Sequence, residues 1–436
     1  MEPTRSGWNP HDEPDALIPR VLAERAVSPL YQPIVDLATG TVAGAEALAR
    51  GPAGSSVEFP DALFAAAART GLLPLVDQLC AARAIEVARD APDGAPPLLF
   101  VNAEPAALSH PFTPELVDAI NSERPYRIVL EFTERALASH PAALLTIASQ
   151  VHQTDGALAL DDVGADPLSL AFLPLVEPEV VKLDMHLLRD PHARHTVETA
   201  AVVGAYAERC GAVVLAEGIE TEEDLATARA LGARWGQGWL FGRPGPLGAV
   251  SGLPVHRSAR LRSPRPGLHL PSGTPFSVAS ARHHSRVGDQ RTVDGLTEYL
   301  LSLASGSGPY TLVLGAYPDP EVGRSWLPRL VPAAGTAAFA GIVGPSLAGP
   351  DPRPVRVVPV TGPGDAETAL AVVSPQGTAA LCVRPGPGGS VDFVLTHDPD
   401  LVHAVARMVL WRMGSAAGRG VSPTDHRWDS TVAAAR

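Results

Sequence analysis

Seven apolar stretches of this chain end on side chains that can do chemistry. They are Glu46 in VAGAEALAR, Asn102 in PLLFVNAEP, Glu131 in RIVLEFTER, Asp161 and Asp162 in ALALDDVGA, Lys182 and Asp184 in VVKLDMHLL, Glu217 in AVVLAEGIE and Gln237 in WGQGWLFGRP. Brought to one place, the six carboxylates and one ammonium carry a net charge of -5. Carboxylates crowded in this way take up protons or bind cations. The donors are all oxygen, with Asn102 neutral and no His or Cys converging on them, which favours Mg²⁺ or Mn²⁺ over Zn²⁺. Two such ions would bring the cleft to about -1, and two ions sharing a bridging carboxylate stabilise both the attacking and leaving oxygens of a phosphodiester.

Lys182 is the only lysine among 34 basic residues; the other 33 are arginine. Where either residue serves, this composition supplies Arg, so a retained Lys marks a place that Arg cannot fill. A guanidinium is broad, planar and offers several donors, whereas an ammonium is a compact charge on a slim stem. Among carboxylates Lys182 stays charged and is suited to hold an attacking water.

These residues need a scaffold that brings strand ends together. From about Pro29 to Arg243 eight short apolar runs, beginning with PLYQPIVDL, alternate with helix-like segments such as PAALLTIASQVHQ and HTVETAAVVGAYAERCG. Thr221 and Asp224 form a capping-box signal and Gly232 a stop signal. Eight strands in this span predict an α/β fold, a (β/α)8 TIM-like barrel, with an open doubly wound sheet as the alternative. In a parallel barrel the C-terminal strand ends share one face, where the seven polar positions would meet.

The 436 residues suffice for two domains. Net charge is -17 before Val255 and +4 from there on, which marks a domain boundary. The acidic first part argues against DNA or RNA as a partner, since these need a basic footprint. Cys80, Cys210 and Cys382 are far apart and form no CxxC, so no disulfide framework is indicated. No signal-peptide pattern and no run of about 18 apolar residues occurs. The expectation is a soluble, cytoplasmic protein with no membrane partner.

The set resembles the EAL-domain cyclic di-GMP phosphodiesterases. Glu46-Ala47-Leu48 matches the family signature, followed in order by Asn102 in FVNAEP, Glu131 and Glu134 in LEFTE, Asp161-Asp162-Val163-Gly164, Lys182-Leu183-Asp184, AEGIET from Ala216 and QGWLFGRP from Gln237. The resemblance implies a modified (β/α)8 barrel with one antiparallel strand, and metal-dependent hydrolysis of cyclic di-GMP to linear pGpG. It implies that Glu46, Asn102, Glu131 and Asp161 hold one Mg²⁺ or Mn²⁺, and that Asp161, Asp162 and Glu217 hold a second. Lys182 would contact the nucleophilic water, and Asp184 and Gln237 would support metal or water. Arg50 would meet a substrate phosphate, Glu134 would anchor a loop, and Glu220 would support Glu217.

One loop departs from the family. After Asp161 the family reads DFGTGYSSL and this chain reads DVGADPLSL, with Val163 for Phe and Ala165-Asp166-Pro167-Leu168 for Thr-Gly-Tyr-Ser. In the family this loop aids dimerisation and orders the second metal and the substrate; here Pro167 stiffens its path. Glu104 also replaces the usual Ser after Asn102. Intact ligands favour an enzyme. The altered loop favours the alternative, a weak or inactive EAL receptor that binds cyclic di-GMP and signals to a protein partner.

The domain expectations are a barrel at 15–248, a Gly/Pro/Arg-rich linker at 249–275, a smaller α/β domain at 276–415 and a disordered tail at 416–436. The third segment shows a helix at RTVDGLTEYLLSLA, strands at YTLVLGAY, TAAFAGIVG, VRVVPV, AALCVRP and SVDFVLT, and a closing helix with Asp398 as N-cap. It resembles the DICT sensory domain, which implies regulation of the barrel and a signalling partner. Homodimerisation is compatible with the resemblance. His283-His284 reads as an exposed loop, and Trp326 and Trp411 as packing residues.

Overall fold

The computed structural model describes residues 7–91, 95–104, 110–133, 141–251, 254, 260–347, 354–360 and 366–415. Glu134 and the expected tail lie outside the described residues. The chain divides into one unit running to Leu268 and a second from His269 onward, to which Pro141–Leu145 also belongs.

In the first unit β1 (Leu30–Asp36), β2 (Thr41–Leu48), β3 (Leu98–Asn102), β4 (Arg127–Phe132), β5 (Ala157–Val163), β6 (Val180–Leu183), β7 (Val213–Ala216) and β8 (Trp235–Gln237) form a closed barrel. β1 runs antiparallel to both neighbours, β2 and β8, while β2 through β8 are parallel. All eight apolar runs are strands, and the antiparallel one is the first. The barrel interior is filled by Ile34, Leu98, Phe100, Val129, Ala157, Ala159, Val180, Val213, Leu215 and Trp235. Outside, helix Leu73–Arg89 and helix Pro114–Asn121 bury Ala82, Ile85, Leu116 and Ala119 against Leu99 and Val101. Each fully buried Leu, Ile or Phe contributes roughly 1.5–3 kcal/mol. The capping box at Thr221 and Asp224 forms as the spacing predicts.

The stretch expected as a linker holds structure. Helix Leu247–Ser251 and helix Pro275–Ala279 lie at its two ends. Between them, Leu261 packs on the barrel core. Arg262 reaches the fully buried Glu179 at 3.0 Å, and Arg265 pairs with Glu177. Glu179 Oε2 also accepts the N–H of Leu158 at 2.9 Å and lies 3.3 Å from His152 Nε2. A composition that reads as flexible is thus tied down by arginines that neutralise carboxylates at the barrel's N-terminal end.

The second unit is a seven-stranded mixed sheet in the order β12-β11-β10-β13-β14-β15-β9. The strands are β9 (Arg286–Gly288), β10 (Leu312–Ala316), β11 (Phe339–Gly344), β12 (Arg356–Pro359), β13 (Thr368–Ser374), β14 (Gly377–Pro385) and β15 (Val391–Thr396). Helices Gln290–Gly306 and Pro320–Ala334 bury Leu300, Leu301, Trp326 and Leu330 against Val313, Ile342, Val372 and Leu381. Helix Pro320–Ala334 and strand β13 were not anticipated. Pro328 and Pro332 hide the helix, since interior prolines usually end one. The run TALAVVS lacks the alternation of a one-sided strand because six of its seven residues are buried. His283 and His284 are exposed and Trp326 is core, as expected, while Trp411 is half-buried.

Candidate active site

Side chains alternate sides along a strand, so the site follows from the barrel core by steps of two. Phe100 leads to Asn102, Val129 to Glu131, Ala159 to Asp161, Val180 to Lys182, Leu215 to Glu217 and Trp235 to Gln237; the first of each pair fills the barrel and the second is the next inward position. The parallel strands therefore stack apolar layers below and polar ends above. Because β1 is antiparallel, its inward sequence runs the other way, from Ile34 back to Gln32, which sits opposite Glu46 in the register.

Gln32 is the residue that sequence reasoning missed. Its Oε1 accepts from Gln237 Nε2 at 3.1 Å, and its own Nε2 donates to the carbonyl of Gly242 at 3.0 Å. The polar groups legible in the sequence close apolar runs, and on an antiparallel strand the corresponding place is near the start. Knowing that the reversed strand was the first would have found it.

Lys182 stands at the centre. Its Nζ lies 2.8 Å from Glu131 Oε1, 2.9 Å from Glu217 Oε1, 3.0 Å from Asp161 Oδ1 and 3.5 Å from Glu46 Oε2. Burial favours a neutral amine, but the four carboxylates outweigh it and raise the proton affinity of Lys182 well above that of an ordinary lysine. Burial would likewise raise Glu46, yet Lys182 and hydrogen bonds from Asn102 and Gln237 hold it below its usual value. Those bonds run from Asn102 Nδ2 to Glu46 Oε1 at 2.9 Å and from Gln237 Nε2 to Glu46 Oε2 at 2.7 Å. Glu131 goes the other way: burial, then the charge of Glu46, raise it well above the carboxylate range. Burial pushes Glu217 up to about 8, against the pull of Lys182. One ammonium does not neutralise the whole group, which leaves the cluster short of positive charge.

Asp162 should face outward by alternation. A register shift between Leu160 and Val163 and a left-handed backbone at Asp162, φ 55°, turn it back. Left-handed non-glycine residues are uncommon and concentrate at functional sites. The result places oxygens of Asp161, Asp162 and Glu217 within 4.8 Å of one another, a group able to hold a metal ion. Just past Glu217, Gly218 has φ 65°, and a Cβ there would lie 2.5 Å from Met185 Cβ, so only glycine lets the two loops meet. The remaining donors suit a hard cation too. Glu131 Oε2 and Gln237 Oε1 are buried and receive no hydrogen bond among the described residues.

The other residues singled out are placed differently. Asp184 caps helix Met185–Arg189, accepting from His186 N at 2.7 Å and lying 2.6 Å from His186 Nδ1. Glu220 is exposed, 3.9 Å from Arg189. Arg50, just past β2, donates to the carbonyl of Ala49 at 2.7 Å.

The EAL domain family model matches residues 16–244, just over half of the 436. The chain is similar to the probable cyclic di-GMP phosphodiesterase PdeB of Escherichia coli (strain K12), with 32% identity over 222 residues, 49% of this chain and 42% of that protein. It is also similar to the uncharacterized protein Mb1392c of Mycobacterium bovis, with 30% identity over 233 residues, 50% of this chain and 75% of that protein. The solved manganese and cyclic di-GMP complex of Klebsiella pneumoniae BlrP1 aligns with TM-score 0.44 and 29% identity, over 50% of this chain and 56% of that one. The chain thus spans less than half the length of PdeB. With a barrel whose inward strand ends carry this ordered set of residues, the chain belongs to the EAL domain family.

Proposed function

We propose that this chain hydrolyses one phosphodiester bond of cyclic di-GMP to give linear pGpG. The observation that carries this reading is the single ammonium of Lys182 set among Glu46, Glu131, Asp161 and Glu217, with Asp162 turned in beside them. Relatives named as phosphodiesterases of this nucleotide, PdeB and the NbdA protein of Pseudomonas aeruginosa, support the choice of substrate.

Glu46, Asn102, Glu131 and Asp161 would hold one Mg²⁺ or Mn²⁺, and Asp161, Asp162 and Glu217 a second. Bound there, the ions would supply Lewis-acid stabilisation of the phosphoryl oxygens and lower the pKa of water. Lys182 donates to the attacking water and orients it. Gln237 holds the Glu46 carboxylate from behind, and Gln32 accepts from the same Gln237 amide and so helps to fix it. Arg50 would meet a substrate phosphate, Asp184 would support metal or water, Glu220 would support Glu217, and Glu134, outside the described residues, would have the loop-anchoring role that the resemblance implies.

The second unit reads as a DICT-like sensory domain that regulates the barrel and engages a signalling partner, and homodimerisation and a cytoplasmic location belong to the same reading. Among the described residues no helix is long and apolar enough to cross a membrane. A receptor role is the second reading. It is favoured by the altered loop, in which Asp166 accepts the N–H of Leu168 at 2.7 Å and starts helix Pro167–Val176, with Ala165-Asp166-Pro167-Leu168 in place of the family's Thr-Gly-Tyr-Ser.

The test is chromatography of cyclic di-GMP incubated with the protein and Mn²⁺ or Mg²⁺, beside Lys182→Ala and Glu46→Ala. Production of pGpG by wild type alone supports the enzyme. Tight binding in Ca²⁺ with nucleotide left intact for hours in Mn²⁺ supports the receptor.

A further inference from the structure

Helix Leu73–Arg89 buries two polar side chains for which the chemistry above has no use, Asp77 and Gln78, 7% and 2% exposed. A helix packed on a barrel ordinarily presents apolar residues there, and a buried carboxyl costs folding free energy unless it is bonded. Both are bonded to one connection. Asp77 Oδ1 accepts the N–H of Glu104 at 3.1 Å. Gln78 Oε1 accepts the N–H of Thr113 at 2.7 Å, and its Nε2 donates to the carbonyl of Pro111 at 3.2 Å. Neighbouring residues of one helix therefore grip the segment leaving β3 at both ends.

The near grip lies two residues beyond Asn102. Asn102 is exposed, so packing does not hold its side chain. What fixes it is a row of hydrogen bonds: Asn102 Nδ2 to Glu46, Ala103 N–H to the carbonyl of Glu131 at 3.0 Å, and Glu104 N–H to Asp77. With Nδ2 committed to Glu46, Oδ1 of Asn102 is the atom left for a cation. Burial raises Asp77 to about 8 against the lowering pull of the Glu104 N–H, with the Glu104 carboxylate adding to the rise. At neutral pH Asp77 is thus mostly a neutral acid that accepts through its carbonyl, a role that asparagine reproduces.

We propose that Asp77, backed by Gln78, is a positioning residue for Asn102, fixing the end of β3 so that the Asn102 amide oxygen is presented to a bound divalent cation. The inference rests on the reading of Asn102 as a cation ligand.

The experiment is Mn²⁺ titration of the full chain by calorimetry, without nucleotide, with circular dichroism and thermal unfolding on every variant. Asn102→Ala sets the scale. Asp77→Ala is expected to weaken Mn²⁺ binding tenfold to a hundredfold, the range for losing an outer support of a metal ligand. Asp77→Asn should stay within about threefold of wild type, because it keeps the acceptor. Glu104→Pro deletes the same hydrogen bond from the other side without touching the helix, and decides the matter if Asp77→Ala does not fold; Glu104→Ala, which keeps the N–H, should bind normally. Wild-type affinity in both Asp77→Ala and Glu104→Pro overturns the inference alone, as does a loss in Asp77→Asn equal to that in Asp77→Ala. Absence of Mn²⁺ binding by wild type overturns it together with the reading of the site.

Discussion

Lys182 Nζ lies 2.8 Å from Glu131 Oε1, and both side chains are almost wholly withdrawn from solvent. Among the described residues Lys182 is the one cation facing Glu46, Glu131, Asp161 and Glu217, and removing it leaves this buried acidic group uncompensated, at a cost of about 3–5 kcal/mol. Lys182→Ala should therefore lower the urea midpoint of the barrel, and Mn²⁺ should restore part of the loss by replacing the missing positive charge. Lys182→Arg should recover stability better than activity, because its fork is too broad for a water-holding ammonium. Hydrolysis by either variant should fall by roughly 10²–10⁴-fold. An active Lys182→Arg would show that charge alone is needed.

The left-handed backbone at Asp162 separates stability from function. Asp162→Gly relieves a conformation costing about 1–2 kcal/mol and gives some back through a freer unfolded chain. Its thermal midpoint should match or exceed that of wild type, while hydrolysis falls about a hundredfold with loss of a cation donor. A marked drop in stability would show that the Asp162 carboxylate holds the loop together.

Asp77 sets a pH dependence of stability. Its folded-state pKa is raised from 3.8 to about 8, so between those values the folded protein keeps a proton that the unfolded chain has released. Stability contributed by this group is present at low pH and declines as pH rises through that window, by at most about 1.4 kcal/mol per unit. Asp77→Asn has no proton to lose. Urea midpoints of wild type and Asp77→Asn should be closest near pH 4 and diverge steadily up to pH 8, with the variant more stable at the upper end. A constant gap would refute the assignment.

Arg262 and Glu179 test whether residues 260–268 hold the barrel closed at its N-terminal end. Glu179 is fully buried and ties Leu158 at the start of β5 to the region before β6, the strands that carry Asp161 and Lys182. Arg262→Ala strands that carboxylate and should cost about 3 kcal/mol. Adding Glu179→Gln should recover part of it, since an amide can keep the bond to Leu158 N without a buried charge. Limited proteolysis near residue 260, accelerated in Arg262→Ala, gives a second readout.

Much of this molecule was legible in order of residues. The eight apolar runs became the eight barrel strands, and the polar residue closing each of the last seven lies on the site face, because a parallel strand carries its functional residue at its end. The elements that were missed share a cause. Helix Pro320–Ala334 tolerates prolines that ordinarily stop a helix, and β13 is buried too uniformly to alternate. The linker composition of 249–275 concealed arginines whose partners, Glu177 and Glu179, lie some eighty residues away.

By itself the sequence determined the chemistry on offer: oxygen donors, one lysine and their order along the chain, since these are properties of residue type and spacing. The tertiary structure decided who meets whom. Reversal of β1 brought Gln32 behind Glu46, and a register slip with a left-handed residue turned Asp162 inward. Side chains of helix Leu73–Arg89 closed on the end of β3. Those outcomes depend on strand direction, local backbone twist and contacts between distant segments, which spacing along a chain does not encode.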